Sequence, residues 1–199
     1  MNSVKHTVRL GVALLALGLA AGCADDDESG APNLGAAWSA YEQGDWQAAG
    51  EEFLGAVDAD PTAAEAWCGL GWSRAALQAQ GGFGDQREGV RTAFEQADRL
   101  RPDYVDAWAG LAEFHNAAND TVAALEWALD AAEAGGSGYQ FAHRGAVTHR
   151  SLRKIAAWSL FKLGRYSESG AQVRTVLSGF QYAGGADSLE VLLAGIHSL

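Results

Sequence analysis

The residues of this 199-residue chain that could do chemistry are five histidines, two cysteines and a run of arginines. His143 and His149 stand six positions apart in a glycine-rich stretch, with no cysteine or carboxylate beside them in sequence to complete a set of metal ligands. Arg144, Arg150 and Arg153 surround them together with Lys154. Guanidinium groups grip carboxylate or phosphate bidentately, so the cluster is a candidate anion site. The competing reading is that these charges are the solvated end of a helix or pair with acidic residues elsewhere in the chain. His115 is expected to pack on a helix, and His6 lies in the N-terminal segment. The chain contains no HExxH, no GxSxG, no phosphate-binding GxxxxGK loop and no GxGxxG after a strand. Paired carboxylates such as Glu51 and Glu52 fall on a helix expected to be solvated. The expectation is therefore no catalytic residue, no metal and no cofactor.

The two cysteines divide by position. Lys5 and Arg9 form a basic start, and residues 10–21 follow as an uncharged apolar run. Twelve helical residues rise about 18 Å, too little for a bilayer core of about 30 Å, so the run reads as an export signal. It ends in Leu19-Ala20-Ala21-Gly22-Cys23, which resembles the lipobox of bacterial lipoproteins. The resemblance implies cleavage after residue 22 and a diacylglycerol on the Cys23 thiol. Ala20 departs from the leucine or valine that the family prefers. Ala24, in place of an aspartate, implies sorting to the outer membrane, with the mature chain facing the periplasm. Residues 23–32, with Asp25, Asp26, Asp27 and Glu28, read as a solvated acidic tether. Cys68 is then the single remaining thiol, expected as a small core or groove residue.

The elements that position all these groups come from a repeat. Trp67-Cys68-Gly69-Leu70-Gly71 and Trp108-Ala109-Gly110-Leu111-Ala112 share Trp-x-x-Leu-small, and each tryptophan follows a proline, Pro61 or Pro102, by six residues. Upstream of each proline lies a helix-period stripe, Trp46, Ala49, Phe53 and Ala56 in one case and Val90, Phe94, Ala97 and Leu100 in the other. These residues resemble the tetratricopeptide repeat, a helix–turn–helix unit. The implied fold is all-α, a helical-hairpin solenoid spanning 33–178 with units at about 33–61, 64–102, 105–134 and 150–178. Small residues at Gly71 and Ala112 let paired helices approach, and proline stops each unit. A glycine-bearing loop at 80–86 lengthens the second unit. The fourth lacks both the tryptophan and the closing proline. The insert at 135–149 could pair 139–141 with 146–148 as short strands. Residues 179–199 contain a last helix, with Leu189, Leu192, Leu193 and Ile196 capping the final unit. Trp67, Trp108, Phe53, Phe94, Leu70 and Leu111 are expected in the core.

By the same resemblance, certain positions on the first helix of each unit face a concave groove where partners dock. They are Trp38, Trp72, Glu113 and Trp158, then one turn on Tyr41, Ala75, Asn116 and Phe161, with Lys154 and Lys162 on the same side in the fourth unit. Rings recurring there would anchor an apolar segment, unless they pack against neighbouring helices. The formal charge of −11 argues against binding to nucleic acid through phosphate. Charge is also divided, with 18 acidic and 5 basic residues over 33–133 against 3 acidic and 7 basic over 134–199. The leading expectation is a lipid-anchored scaffold that binds a protein or peptide partner in the cell envelope. A pilotin-like assembly factor is an alternative within that class. An enzyme, or an enzyme's accessory subunit with its site in the insert, is the alternative outside it. Cys23→Ser should shift the protein from the membrane pellet to the soluble fraction; unchanged fractionation would contradict the anchor.

Overall fold

The computed structural model describes residues 34–81, 87–184 and 188–199. The signal segment, Cys23, the acidic tether and most of the 80–86 loop lie outside the described residues. Those described form nine α-helices and no strand. They are α1 (Gly35–Glu42), α2 (Trp46–Ala59), α3 (Ala64–Ala79), α4 (Arg87–Leu100), α5 (Val105–Ala117), α6 (Thr121–Gly135), α7 (His149–Lys162), α8 (Tyr166–Val176) and α9 (Leu189–His197). No helix among the described residues is long and apolar enough to cross a membrane.

The first eight helices pair in order as four hairpins, α1 with α2, α3 with α4, α5 with α6 and α7 with α8. Each hairpin turn holds a residue in the left-handed region, Gly44 at φ 84°, Asn119 at φ 57°, Gly164 at φ 71° and, in the longer second turn, Gly81 at φ 74°. After the first two, an aspartate caps the next helix. Asp45 accepts from the Ala48 N–H at 3.1 Å and Asp120 from the Ala123 N–H at 3.2 Å. Each such cap stabilises its helix by about 1 kcal/mol. Thr148 and Ser151 cap α7 reciprocally. The helices α2 and α4 end two residues before Pro61 and Pro102, as the missing N–H of proline requires.

Two layers result. The helices α1, α3, α5 and α7 each touch the next of their own set and form the inner layer. The helices α2, α4 and α6 lie outside, each wedged between consecutive inner helices, and α8 lies between α7 and α9. On α2 and α4 the wedges are single phenylalanines. Phe53 is fully buried, with its ring 4.6 Å from that of Trp38 on α1. A Cβ built on Gly69 of α3 would come within 2.3 Å of that ring. Phe94 is buried in the same way between α3 and α5, 2.7 Å from a Cβ built on Gly71 and 2.3 Å from one built on Gly110. Gly69 and Gly110 hold the same place in the repeat, two residues after its tryptophan. In the next register the bulk changes sides, with the buried Ala128 on α6 in place of phenylalanine and Ile155 on α7 in place of glycine.

Leu70 and Leu111 are in the core as expected, whereas Trp67 and Trp108 are not fully buried. Both indoles are half-buried and turn their N–H back on the preceding hairpin. Trp67 donates to the Pro61 carbonyl at 2.9 Å and Trp108 to the Asp98 carboxylate at 2.6 Å. An indole N–H needs an acceptor, and the end of the neighbouring hairpin supplies one only at the edge of the core. A second, smaller core of Ala157, Val173, Leu192 and Ile196 joins α7 and α8 to α9. The cap is helical over Leu189–His197 and is approached by the Phe180 ring at Gly195.

Gly110→Ala is expected to cost about 1–3 kcal/mol of stability, since the ring it meets is locked between two helices. Gly55→Ala, at an open helical position, should instead be neutral or raise stability by about 0.5–1 kcal/mol. Urea denaturation followed by circular dichroism separates the two; equal effects would contradict this account of the packing.

Candidate functional site

The insert between α6 and α7 decides what the concave face is. Its two arms meet in one antiparallel bridge, Gln140 to Thr148, rather than in strands. Phe141 N–H donates to the Val147 carbonyl at 2.8 Å and His149 N–H to the Tyr139 carbonyl at 2.9 Å. The ladder goes no further because Arg144 spends its backbone groups on the turn itself, with Phe141 and Val147 as partners. Phe141 and Val147 are both buried, so the hairpin is pinned by side chains and lies across the inner layer.

The contacts run along the first three inner helices. The Phe141 ring stacks on Trp72 of α3, with centroids 4.8 Å apart, and meets Trp38 of α1 edge-on at 5.8 Å. His143 lies flat on Trp38 at 3.8 Å, and its Nδ1 is 2.7 Å from Glu42 Oε1. Arg144 donates from Nη1 to Glu113 Oε2 of α5 at 2.9 Å and stands 5.8 Å over the Trp72 ring. Tyr139 donates its hydroxyl to Asp106 at the start of α5 at 2.9 Å. Trp38 in turn donates its indole N–H to Glu65 of α3 at 3.0 Å.

Tyr41, Trp72, Ala75 and Glu113 of the expected groove line the cavity described below, whereas the insert and the last helix cover much of the rest. Trp38, Tyr41 and Trp72 are only 6%, 4% and 1% exposed, because the insert covers them. Glu113 is bound to the insert through Arg144. Asn116 is half-buried and does not line the cavity described below. In the fourth unit, Trp158 stacks on Phe161 at 5.7 Å and both pack against the α8–α9 cluster. Lys154 reaches the His197 carbonyl at 3.5 Å, and Lys162 reaches Asn119 Oδ1 at 3.4 Å. The last helix thus takes the surface that the fourth unit would have offered.

The expected anion cluster is also dispersed. Arg144 faces Glu113, whereas Arg150 donates to the main-chain oxygens of Ser198 and Leu199 at 2.6 and 3.0 Å, just past the C-terminal end of α9. That end carries partial negative charge, which a nearby cation complements. Arg153 donates to Gln172 at 2.7 Å. The two histidines are separated as well, since His149 Nδ1 is 3.2 Å from the Ala132 carbonyl while His143 lies on Trp38. Burial, and next the charge of Arg153, push the His149 imidazole below its usual range. Among the described residues no group of three or more His, Cys, Asp or Glu is arranged to hold a metal ion. Cys68 is fully buried, and burial pushes its thiol upward, away from the reactive thiolate.

Beside the insert the concave face keeps a cavity of about 620 Å³. Its floor is Trp72 with the small residues Ala75, Ala76 and Gly110; Phe114 and Trp46 add apolar wall, and Glu113, Arg144, Glu42 and Arg87 add charge. Burial pushes the Tyr41 phenol up to about 12, against the pull of Arg144. Burial also raises the Glu113 carboxyl, with Arg144 limiting the rise, and raises Asp106 against its hydrogen bond from Tyr139.

Sequence reasoning missed two things, both with a signal. Gly69 and Gly110 recur at one register of the repeat, which marks a close approach. Tyr139, Phe141 and Val147 are three large apolar side chains in a stretch otherwise rich in glycine, and these demand a buried surface.

No protein family profile matches the chain, and no curated protein matches it by sequence. Its fold is similar to that of TTC0263, a thermophilic TPR protein of Thermus thermophilus, at 18% identity and a TM-score of 0.57, over 82% of this chain and 78% of that one. The MamA protein is similar at 16% identity and a TM-score of 0.56, over 78% of this chain and 80% of the other. The fold is thus an all-α helical-repeat solenoid of the tetratricopeptide type.

An acid whose pKa is raised by folding contributes stability that is full below its unfolded pKa and is lost as pH rises through the folded value. The parent's urea midpoint should therefore decline relative to that of Glu113→Gln as pH rises from about 4 to neutrality. A relative increase of the parent's midpoint over that range would reverse the assignment.

Proposed function

We propose that this chain is a non-catalytic scaffold of a bacterial cell envelope, anchored by an acyl group on Cys23 at the outer membrane and facing the periplasm, which binds a protein or peptide partner on its concave side. The observation that carries the reading is the cavity between α1, α3 and α5. At about 620 Å³ it is of ligand-pocket size. Its floor of alanine and glycine lets a partner backbone come close, Phe114 and Trp46 offer apolar wall, and the charged rim gives orientation. The repeat stack supports it further, because such stacks present extended concave surfaces. The address rests on residues 10–24, a short apolar run closed by the lipobox-like Leu-Ala-Ala-Gly-Cys and followed by alanine.

Ala79 and Ala117 are exposed residues at the ends of α3 and α5 and both line the cavity, so Ala79→Trp with Ala117→Trp should fill it without disturbing the core. Crosslinking in native membranes should capture a partner with the parent chain and lose it with the filled variant at equal expression. Capture that persists in the filled variant would rule out this cavity as the docking surface.

A further inference from the structure

We propose that the inner face of the first three hairpins is a binding site for a chain segment carrying an aromatic ring and, three residues later, an arginine, and that residues 141–144 occupy it as an intramolecular ligand. The inference rests on the reading of the concave face as the partner surface, and it names the chemistry of the partner.

Three observations carry it. First, the insert is held by contacts of the kind an external peptide makes. Phe141 sits against Trp38 and Trp72, His143 stacks on Trp38, and Arg144 pairs with Glu113 while standing over Trp72. These partners lie far away in sequence, 101 positions in the case of His143 and Glu42. The insert's own backbone contributes one bridge.

Second, the charges are complementary. The inner face offers Glu42, Glu65, Asp106 and Glu113 from three helices, in a stretch with 18 acidic and 5 basic residues. The occupying segment brings His143 and Arg144 from the basic part of the chain. A segment rich in carboxylates would meet repulsion here, so the face selects basic aromatic segments.

Third, the polar half of the hold is exchangeable. The Arg144 and Glu113 side chains are 46% and 29% exposed, and those of His143 and Glu42 are 25% and 52% exposed. Ion pairs open to solvent contribute little. The tether nevertheless keeps the segment at a high effective concentration, so a free segment of the same chemistry competes poorly until the insert is weakened.

The test is fluorescence anisotropy with a dye-labelled synthetic peptide of residues 139–147, titrated with the full chain. The parent should bind weakly. His143→Ala with Arg144→Ala, which leaves the buried Phe141 in place, should bind several-fold more tightly. Adding Glu42→Gln and Glu113→Gln should abolish that gain, as should a peptide whose arginine is replaced by glutamate. A double variant with parental helicity and no gain in affinity overturns the proposal. If the double variant fails to fold, hydrogen exchange on the parent decides. Phe141 and Val147 amides that exchange by local opening, well ahead of the α5 core, support displacement; exchange only by global unfolding makes the segment a fixed wall and overturns it. Loss of peptide binding with membrane capture intact sinks this inference and leaves the scaffold reading standing.

Discussion

The approach of Phe53 to Gly69 and of Phe94 to Gly110 is the constraint from which the rest of the architecture follows. An outer helix can seat a whole aromatic ring between two inner helices only if the backbone facing it carries no side chain. A ring buried there supplies a large apolar area at one point, and the glycines facing it, Gly69 for Phe53 and both Gly71 and Gly110 for Phe94, fix its place. Because the contact recurs at one register, the hairpins are displaced relative to one another in a regular way, and a concave inner face results. At the corresponding positions of the next register stand Ala128 and Ile155, both buried.

The concave face so formed is not left open along its length. The insert lays Phe141 on the aromatic residues of the first two inner helices and bridges to the third with Arg144. The far end is closed by α9, whose C-terminal carbonyls collect Arg150 and Lys154. What stays accessible is the cavity over Ala75, Ala76 and Gly110. The division of charge along the chain acquires a physical meaning in this arrangement. The acidic hairpins and the basic part of the chain meet in one intramolecular contact, where Arg144 of the insert is spent against Glu113, while Arg150 on α7 is spent against a helix end.

The sequence was informative where the cause of structure is local. Helix periods, the two prolines, the glycines and Asn119 at turns, and the aspartate caps act within a few residues, so four hairpins and their limits could be read directly. The pairing of 139–141 with 146–148 was legible for the same reason, although the turn bonds of Arg144 to Phe141 and Val147 leave a single bridge. The fate of Trp38, Trp72 and Trp158 was not legible. A ring on an inner helix has the same local signature whether it lines an open groove or lies under another segment, and the covering segments come from about 70 to 100 residues downstream in the first two cases.

The chain by itself therefore determined the repeat, the positions of its turns and the residue types that must be buried, because periodicity and backbone preference are encoded residue by residue. Tertiary structure alone decided which apolar surface was covered and by what. It sent Arg144, Arg150 and Arg153 to three different partners, although they lie within ten residues of one another. Neighbours along a chain share a helix or a turn, but the direction in which each side chain finds its counter-charge is fixed only when distant helices are brought into contact.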